Sequence, residues 1–493
     1  MKKLLNRFLK PVNQFTVLIF VIVGIEANAQ FPYNYSYAGL PLSSKSIVRH
    51  FDEQTAVVYY EEGLNGHVAL VNVVTNVTYS VSLDTGFFMN DMFIMNDSVF
   101  LCGRYYFSSP NYIGCIATMD LNTFSSGSVH TTYFMPSYWI RMDLKRIDGF
   151  EYLDGSGNPR AKFLLVADIE YACNGSESFP LNGFEHKYTD ENNPSMCTVN
   201  AVLEVSYPFT LSGYSSTTQK VLRVINPTIH SEIIHDVVVT DNYVAFVGLK
   251  TEIMSNYITL HICNKGSNIL RSNYSVFPPQ ICDFDNYFIY PLGTSSGTPF
   301  YHACDLGGDK IAIVTQDEMS TTSSGLTVRT FDLSTNTMIN AQELQCYAHP
   351  GLRDIAYISN LQKIVMLYFG YFRLTGSYGE IFCTIDPFNM TSSYYLLGIT
   401  DNVLHYHFSS LDVMRDSYFI STGGKYGFVS DAASFVTGKR CYYVEDYNII
   451  NEPVIGVDGD YFKYDQDLPH PTFIYVDTIS RYVPIPSHCV DNN

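Results

Sequence analysis

The chain has 493 residues and a formal net charge of −19, with 46% hydrophobic and 16% charged residues. That composition supports a packed core and excludes intrinsic disorder. Its acidic balance argues against nucleic acid and anionic lipid as partners, since both are bound mainly through Lys and Arg.

The first element in chain order is an export signal. Lys2, Lys3, Arg7 and Lys10 form a basic head, Phe15 to Ile25 an apolar core, and Ala27-Asn28-Ala29 an A-x-A cleavage site. Cleavage there would start the exported chain at Gln30 and place it in the periplasm, on the cell surface or outside the cell. No Cys follows the junction, so a bacterial lipid anchor is not expected. No later stretch approaches the roughly 20 apolar residues of a membrane-crossing helix. Removing residues 1–29 takes four of the 29 basic and one of the 48 acidic residues, leaving 25 against 47, a net charge of −22.

Beyond Gln30 helical periodicity is scarce. Short runs of β-branched and aromatic residues alternate with clusters of Asn, Asp, Gly and Ser, the pattern of strands and turns. With 39 Tyr and 33 Phe against one Trp, Trp139, the aromatic usage also favours strands. Laid under one another, the runs reveal a repeated strand pair.

The first copy, Ile47 to Gly63, turns at Asp52-Glu53-Gln54. The second, Asp91 to Gly103 (DMFIMNDSVFLCG), matches the fourth, Asp236 to Gly248 (DVVVTDNYVAFVG), without a gap. Each is an Asp, an apolar strand, a polar turn, a second apolar strand and a Gly. The third copy starts at Asp143 and carries an insertion around Asp154 to Arg160. The fifth, His302 to Gln316, has His302 in the place of the Asp. The sixth starts at Asp354, and the seventh, Asp412 to Gly423, is one residue shorter. Most units continue with a third strand and a weaker fourth, as in Gly114 to Leu121, Leu326 to Leu333 and Glu380 to Ile385.

Four antiparallel strands repeated in this way resemble the blade set of a seven-bladed β-propeller. The resemblance covers residues 30–493 as one all-β domain, whose ring Phe31 to Tyr37 or Thr472 to Thr478 could close. It reaches no particular family: the chain lacks a Trp-Asp signature, and the Gly307-Gly308 and Gly423-Gly424 pairs fall at different places in their units. The alternatives are an eight-bladed ring that uses Cys197 to Phe209 separately, or two β-sandwich domains.

If each first strand is innermost, Asp91, Asp143, Asp236, Asp354 and Asp412 gather at one end of the channel, with His302 in the sixth equivalent place. Two roles fit them. Each Asp can cap backbone N–H groups of its own or the next blade, or together they can attract a cation such as Ca²⁺. No catalytic residue and no metal ligand set is assigned. His405 and His407 share a strand face without a nameable third ligand, and Asp458 to Asp467 lacks the spacing of a calcium loop. There is no G-x-S-x-G, H-E-x-x-H or phosphate-binding Gly loop.

All eleven Cys lie beyond Gln30, in a compartment that permits disulfides. Cys173 and Cys197 bracket the polar segment Asn174 to Pro194 and are expected to be bridged. Cys102 and Cys115 are expected to lie close enough for a bridge. Two functions remain open. One is a non-catalytic binding or scaffold protein that holds an unknown protein or glycan on its loop-bearing rim. The other is a propeller enzyme acting on extracellular carbohydrate through a pair of channel carboxylates.

Overall fold

The computed structural model describes residues 46–62, 65–72, 77–83, 85–108, 111–124, 129–134, 141–172, 196–208, 219–224, 231–252, 255–265, 286–293, 301–318, 323–347, 351–372, 377–388, 392–396, 410–415, 418–423, 426–431, 443–445, 449–450, 457–458 and 482–484. Every regular element among them is a strand. None is a helix long and apolar enough to cross a membrane.

The strands form antiparallel meanders taken in chain order. In the second sheet Phe87–Met95, Ser98–Ser108, Asn111–Asp120 and His130–Phe134 pair successively. The hairpin between its first two strands turns on Asn96 and Asp97, at φ 48° and 55°. Both values are left-handed, as a two-residue turn matched to strand twist requires, and Asn and Asp tolerate them best after Gly.

Seven sheets open with the strands Ser46–His50, Phe87–Met95, Arg141–Leu153, Ser231–Val239, Tyr301–Gly307, Gly351–Ile358 and Ser410–Arg415. Each of these first strands contacts the next, and Ser410–Arg415 returns to contact Ser46–His50. The described sheets thus close in a cycle around an axis. Apolar side chains fill the wedges between neighbours: Phe100, Cys102 and Ile116 meet Leu144, Phe163 and Leu165 between the second and third sheets. Val247 and Leu260 meet Ile311, Ile313 and Phe331 between the fourth and fifth. Phe163 is fully buried; removing such a side chain from water stabilises the fold by about 1.5–3 kcal/mol.

Met196–Pro208 is the third strand of the third sheet, held between Pro159–Ala172 and Gln219–Val224. It builds no sheet of its own. Phe31 to Tyr37 and Thr472 to Thr478 lie outside the described residues.

Four first strands carry a bulge at one shared place. In the second sheet Met89 faces Gly103 and Asp91 faces Cys102, which leaves Asn90 as the extra residue. Lys145, His235 and Arg353 are the corresponding extra residues of the third, fourth and sixth sheets. A bulge adds local twist and re-aims the side chain that follows it.

The expected proximity of Cys102 and Cys115 is corrected by this register. Cys102 faces Ile116 and Cys115 faces Gly103, an offset of one residue that sends the two thiols to opposite faces of the sheet. Cys102 packs in the wedge toward the third sheet and Cys115 in the wedge toward the first. Both are buried, and neither forms a disulfide. The expected bridge between Cys173 and Cys197 falls outside the described residues, apart from Cys197 lying opposite Tyr171.

Candidate functional site: the central channel

The bulges set what faces the axis. Asp91, Asp236 and Asp354 each follow the extra residue of their strand and line one polar cavity of about 550 Å³. His302 lies opposite Val314 as Asp236 lies opposite Val247, and it lines the same cavity. Asp412 lines it as well.

Five carboxylates here share one hydrogen-bonding pattern. One oxygen accepts the N–H of the following residue, and the other accepts an N–H from the next first strand. Asp91 takes Met92 N (2.9 Å) and Ile147 N (3.2 Å). Asp236 takes Val237 N (3.0 Å) and Ala303 N (2.9 Å). Asp354 takes Ile355 N (2.9 Å) and Leu411 N (3.0 Å). Asp412 takes Val413 N (2.8 Å) and, across the seam of the ring, His50 N (2.7 Å). The fifth is Asp148, which takes Gly149 N (2.7 Å) and Val239 N (2.8 Å). These N–H groups belong to strands that cannot pair edge to edge, and a carboxylate satisfies donors that would otherwise be orphaned.

Asp143 does not belong to this set. Register places Arg146, not Asp143, after the bulge of the third sheet, and Asp143 sits three residues upstream, away from the cavity. There it clamps the second sheet to the third, accepting from Asn90 Nδ2 (2.5 Å), Arg104 Nη1 (2.8 Å) and Lys145 Nζ (2.6 Å). Asp148 lies two residues beyond Arg146, so aligning the units on their bulges does not reach it either.

Two arginines stand among the carboxylates. Arg49 is spent on structure: Nε donates to Met92 O (3.0 Å), Nη1 to Val48 O (2.8 Å) and Nη2 to Asp91 Oδ1 (2.9 Å). Arg146 is not. Its one hydrogen bond among the described residues runs from Nη2 to His302 Nδ1 (3.3 Å), and its Nε stops 3.8 Å from Asp236 Oδ1. His302 Nδ1 in turn lies 4.0 Å from Asp354 Oδ1.

The crowding shifts the titrations. Burial, with the charges of Asp236 and Asp91, pushes Asp148 up to about 7 against its two amide bonds. Burial likewise raises Asp236 to about 6, against the charge of Arg146 and its amides. Asp354 is raised by burial. Burial would also raise Asp412, but its hydrogen bond to His50 and the charges of His50 and Arg49 hold it below the ordinary range. Burial and then the Arg146 charge drive His302 well below the usual imidazole value, so it is neutral near pH 7.

Among the described residues no group of three or more His, Cys, Asp and Glu is placed to hold a metal ion. Ca²⁺ would also compete with Arg49 and Arg146, the chain's own counter-ions. His405 and His407 lie outside the described residues, as does the stretch from Asp458 to Asp467 apart from the backbone of Asp458.

No protein-family model matches the chain, and no curated protein matches it. Solved structures do. The β-propeller domain of Cps50 (Swd1) from Myceliophteria thermophila is 8% identical, with 81% of this chain and 99% of that one covered at a TM-score of 0.42. The β-propeller domain of the Trilobed protease from Pyrococcus furiosus is 10% identical, with 82% and 97% covered at 0.36. Its own closed cycle of antiparallel sheets makes this chain a β-propeller. NanB sialidase from Streptococcus pneumoniae is 8% identical, with 82% and 89% covered at 0.40. Likenesses at such identities assign no ligand or reaction.

Proposed function

We propose that the chain is an exported, non-catalytic binding or scaffold propeller of seven blades, which takes a protein or glycan ligand at its channel and rim. What supports this reading is the commitment of the channel carboxylates. Asp91, Asp148, Asp236, Asp354 and Asp412 each hold two backbone amides, one of them on the neighbouring blade. A general acid or nucleophile must swing or exchange its proton with substrate, and here that motion would unpin the ring.

The alternative is an enzyme acting on extracellular carbohydrate. It would draw on Asp148 and Asp236, whose carboxyl groups titrate near neutrality at about 7 and about 6. A glycan array probed with the purified protein, followed by reducing-end assays on every glycan retained, separates the two. Retention without release of reducing ends is the expected result. Release that Asp148→Asn or Asp236→Asn abolishes would establish the enzyme instead. Export is tested by N-terminal sequencing of protein recovered from the periplasm or medium, which should begin at Gln30.

A further inference from the structure

The unspent donors in the channel deepen the binding reading, on which this inference rests. Arg146 offers five N–H groups and uses one. That bond also fixes the neighbouring imidazole: an arginine can only donate, so His302 Nδ1 must accept and the ring proton sits on Nε2. Among the described residues His302 Nε2 has no protein partner. Fork and imidazole thus present several donors to the cavity and no acceptor.

Acceptors stand just out of reach. The gap from Arg146 Nε to Asp236 Oδ1 (3.8 Å) is too long for a hydrogen bond, and His302 Nδ1 stands 4.0 Å from Asp354 Oδ1 with no proton of its own to share. A group inserted beside them must accept from arginine or imidazole and donate to a carboxylate. An anion can only accept, and beside Arg146 it would meet the charges of Asp236, Asp91 and Asp354. An ammonium ion can only donate, and Arg146 would repel it. A hydroxyl does both.

We propose that Arg146 and His302 are the donor pair of a saccharide site in the channel, gripping a vicinal diol whose hydroxyl hydrogens pass to Asp236 and Asp354. The cavity, about 550 Å³, falls within the roughly 300–1,000 Å³ of small-molecule sites. Phe93 and Tyr357 are among its lining residues.

The test is titration calorimetry of the full chain with cellobiose, maltose, lactose and xylobiose, and with galacturonate and glucosamine as charged comparators. At least one neutral disaccharide should bind, no more weakly than either comparator. Arg146→Gln and His302→Gln should each weaken that binding at least tenfold. Because Arg146 is also the counter-ion of Asp236, Arg146→Gln should lower the melting temperature, whereas Arg146→Lys, which keeps the charge and loses the fork, should stay close to the wild type and still weaken binding, which separates loss of site from loss of fold. Equal affinity in a folded Arg146→Gln protein would overturn the site while leaving the binding reading standing. Tighter binding of a charged comparator would do the same, as would failure of all four disaccharides when the glycan array retains other ligands. Silence in both assays would end both.

Discussion

Asp236 shows how one side chain can be structural in role and strained in charge. Removing it orphans the amides of Val237 and Ala303, so Asp236→Ala should cost about 1–3 kcal/mol in chemical denaturation. Asp91→Ala should cost a similar amount through Met92 and Ile147. The two lie on non-adjacent blades, yet Asp91 pushes the Asp236 carboxyl upward across the channel. The double variant should therefore lose more than the sum of the single losses, because each single substitution already relieves a repulsion that the double can relieve only once. A loss equal to or below the sum would show that the coupling is absent. The same crowding gives stability a pH slope. Asp148 titrates at about 7 when folded, above the ordinary 3.8, so its contribution is full below the unfolded value and is lost as pH rises through about 7. Asp236 acts with the same sign around 6, and so does His50, whose value is raised by its bond to Asp412. His235, lowered to about 4 by burial, and His302 act oppositely as their unfolded imidazoles titrate around the ordinary 6.5, which offsets part of that fall. Asp148→Asn removes the Asp148 contribution alone, so between pH 6.5 and 8 its melting temperature should fall less, or rise more, with pH than that of the wild type; an unchanged slope in the variant would refute the assignment.

At the scale of the strand pair, the closing Gly of the repeat has a cause. Gly103 lies opposite the residue before the second-sheet bulge, and a Cβ there would sit 2.1 Å from Phe88 O and 2.7 Å from Met89 Cα. Gly248 is its counterpart in the fourth sheet, where a Cβ would meet Thr259 Oγ1 at 2.4 Å. Gly103→Ala should therefore destabilise by about 1–3 kcal/mol through overpacking against backbone that cannot retreat. Gly155, in an open turn with nothing within 4 Å, should accept Ala without loss. Equal melting temperatures for the two variants would remove the packing explanation. The repeat itself was legible because it is local: Asn96-Asp97 between two apolar runs announces a hairpin, and the Gly marks its bulge. Asp91, Asp236, Asp354 and His302 were found together for the same reason. Asp143 misled because the third unit also starts with Asp, although its bulge comes two residues later, at Lys145. Cys102 and Cys115 misled because sequence does not fix register to one residue, and one residue decides the face. Arg49 and Arg146 carry no local signature; what sets them apart is the bonds they make or leave unmade across the channel.

Across the whole molecule, the seam between the last and first described sheets differs from the other joints in chain separation. Val48 N donates to Ser410 Oγ (3.3 Å) and His50 N to Asp412 Oδ2 (2.7 Å), each across 362 residues of chain. Ala303 N to Asp236 spans 67. Closing the longer loop costs more chain entropy, by about 1.5 kcal/mol on logarithmic scaling, so the seam is where the ring should open first. Each sheet contacts chiefly its two neighbours, and in such repeat architectures an opened end frays without dragging the far side with it. Asp412→Ala removes the His50 amide tie together with the His50 Nδ1 ion pair (2.9 Å), leaving at the joint, among the described residues, the bonds of Val48 N and Arg49 Nη1 to Ser410 Oγ. Hydrogen exchange of this variant should quicken in residues 46–62 and 410–415 and stay near wild type in 231–252, on the opposite side of the cycle. Asp236→Ala, which cuts a joint between sheets already held by short connections, should instead raise exchange around 231–239 and 301–307 and spare the seam. Uniform acceleration in both variants would mean that the ring opens as one cooperative unit, with no weakest joint.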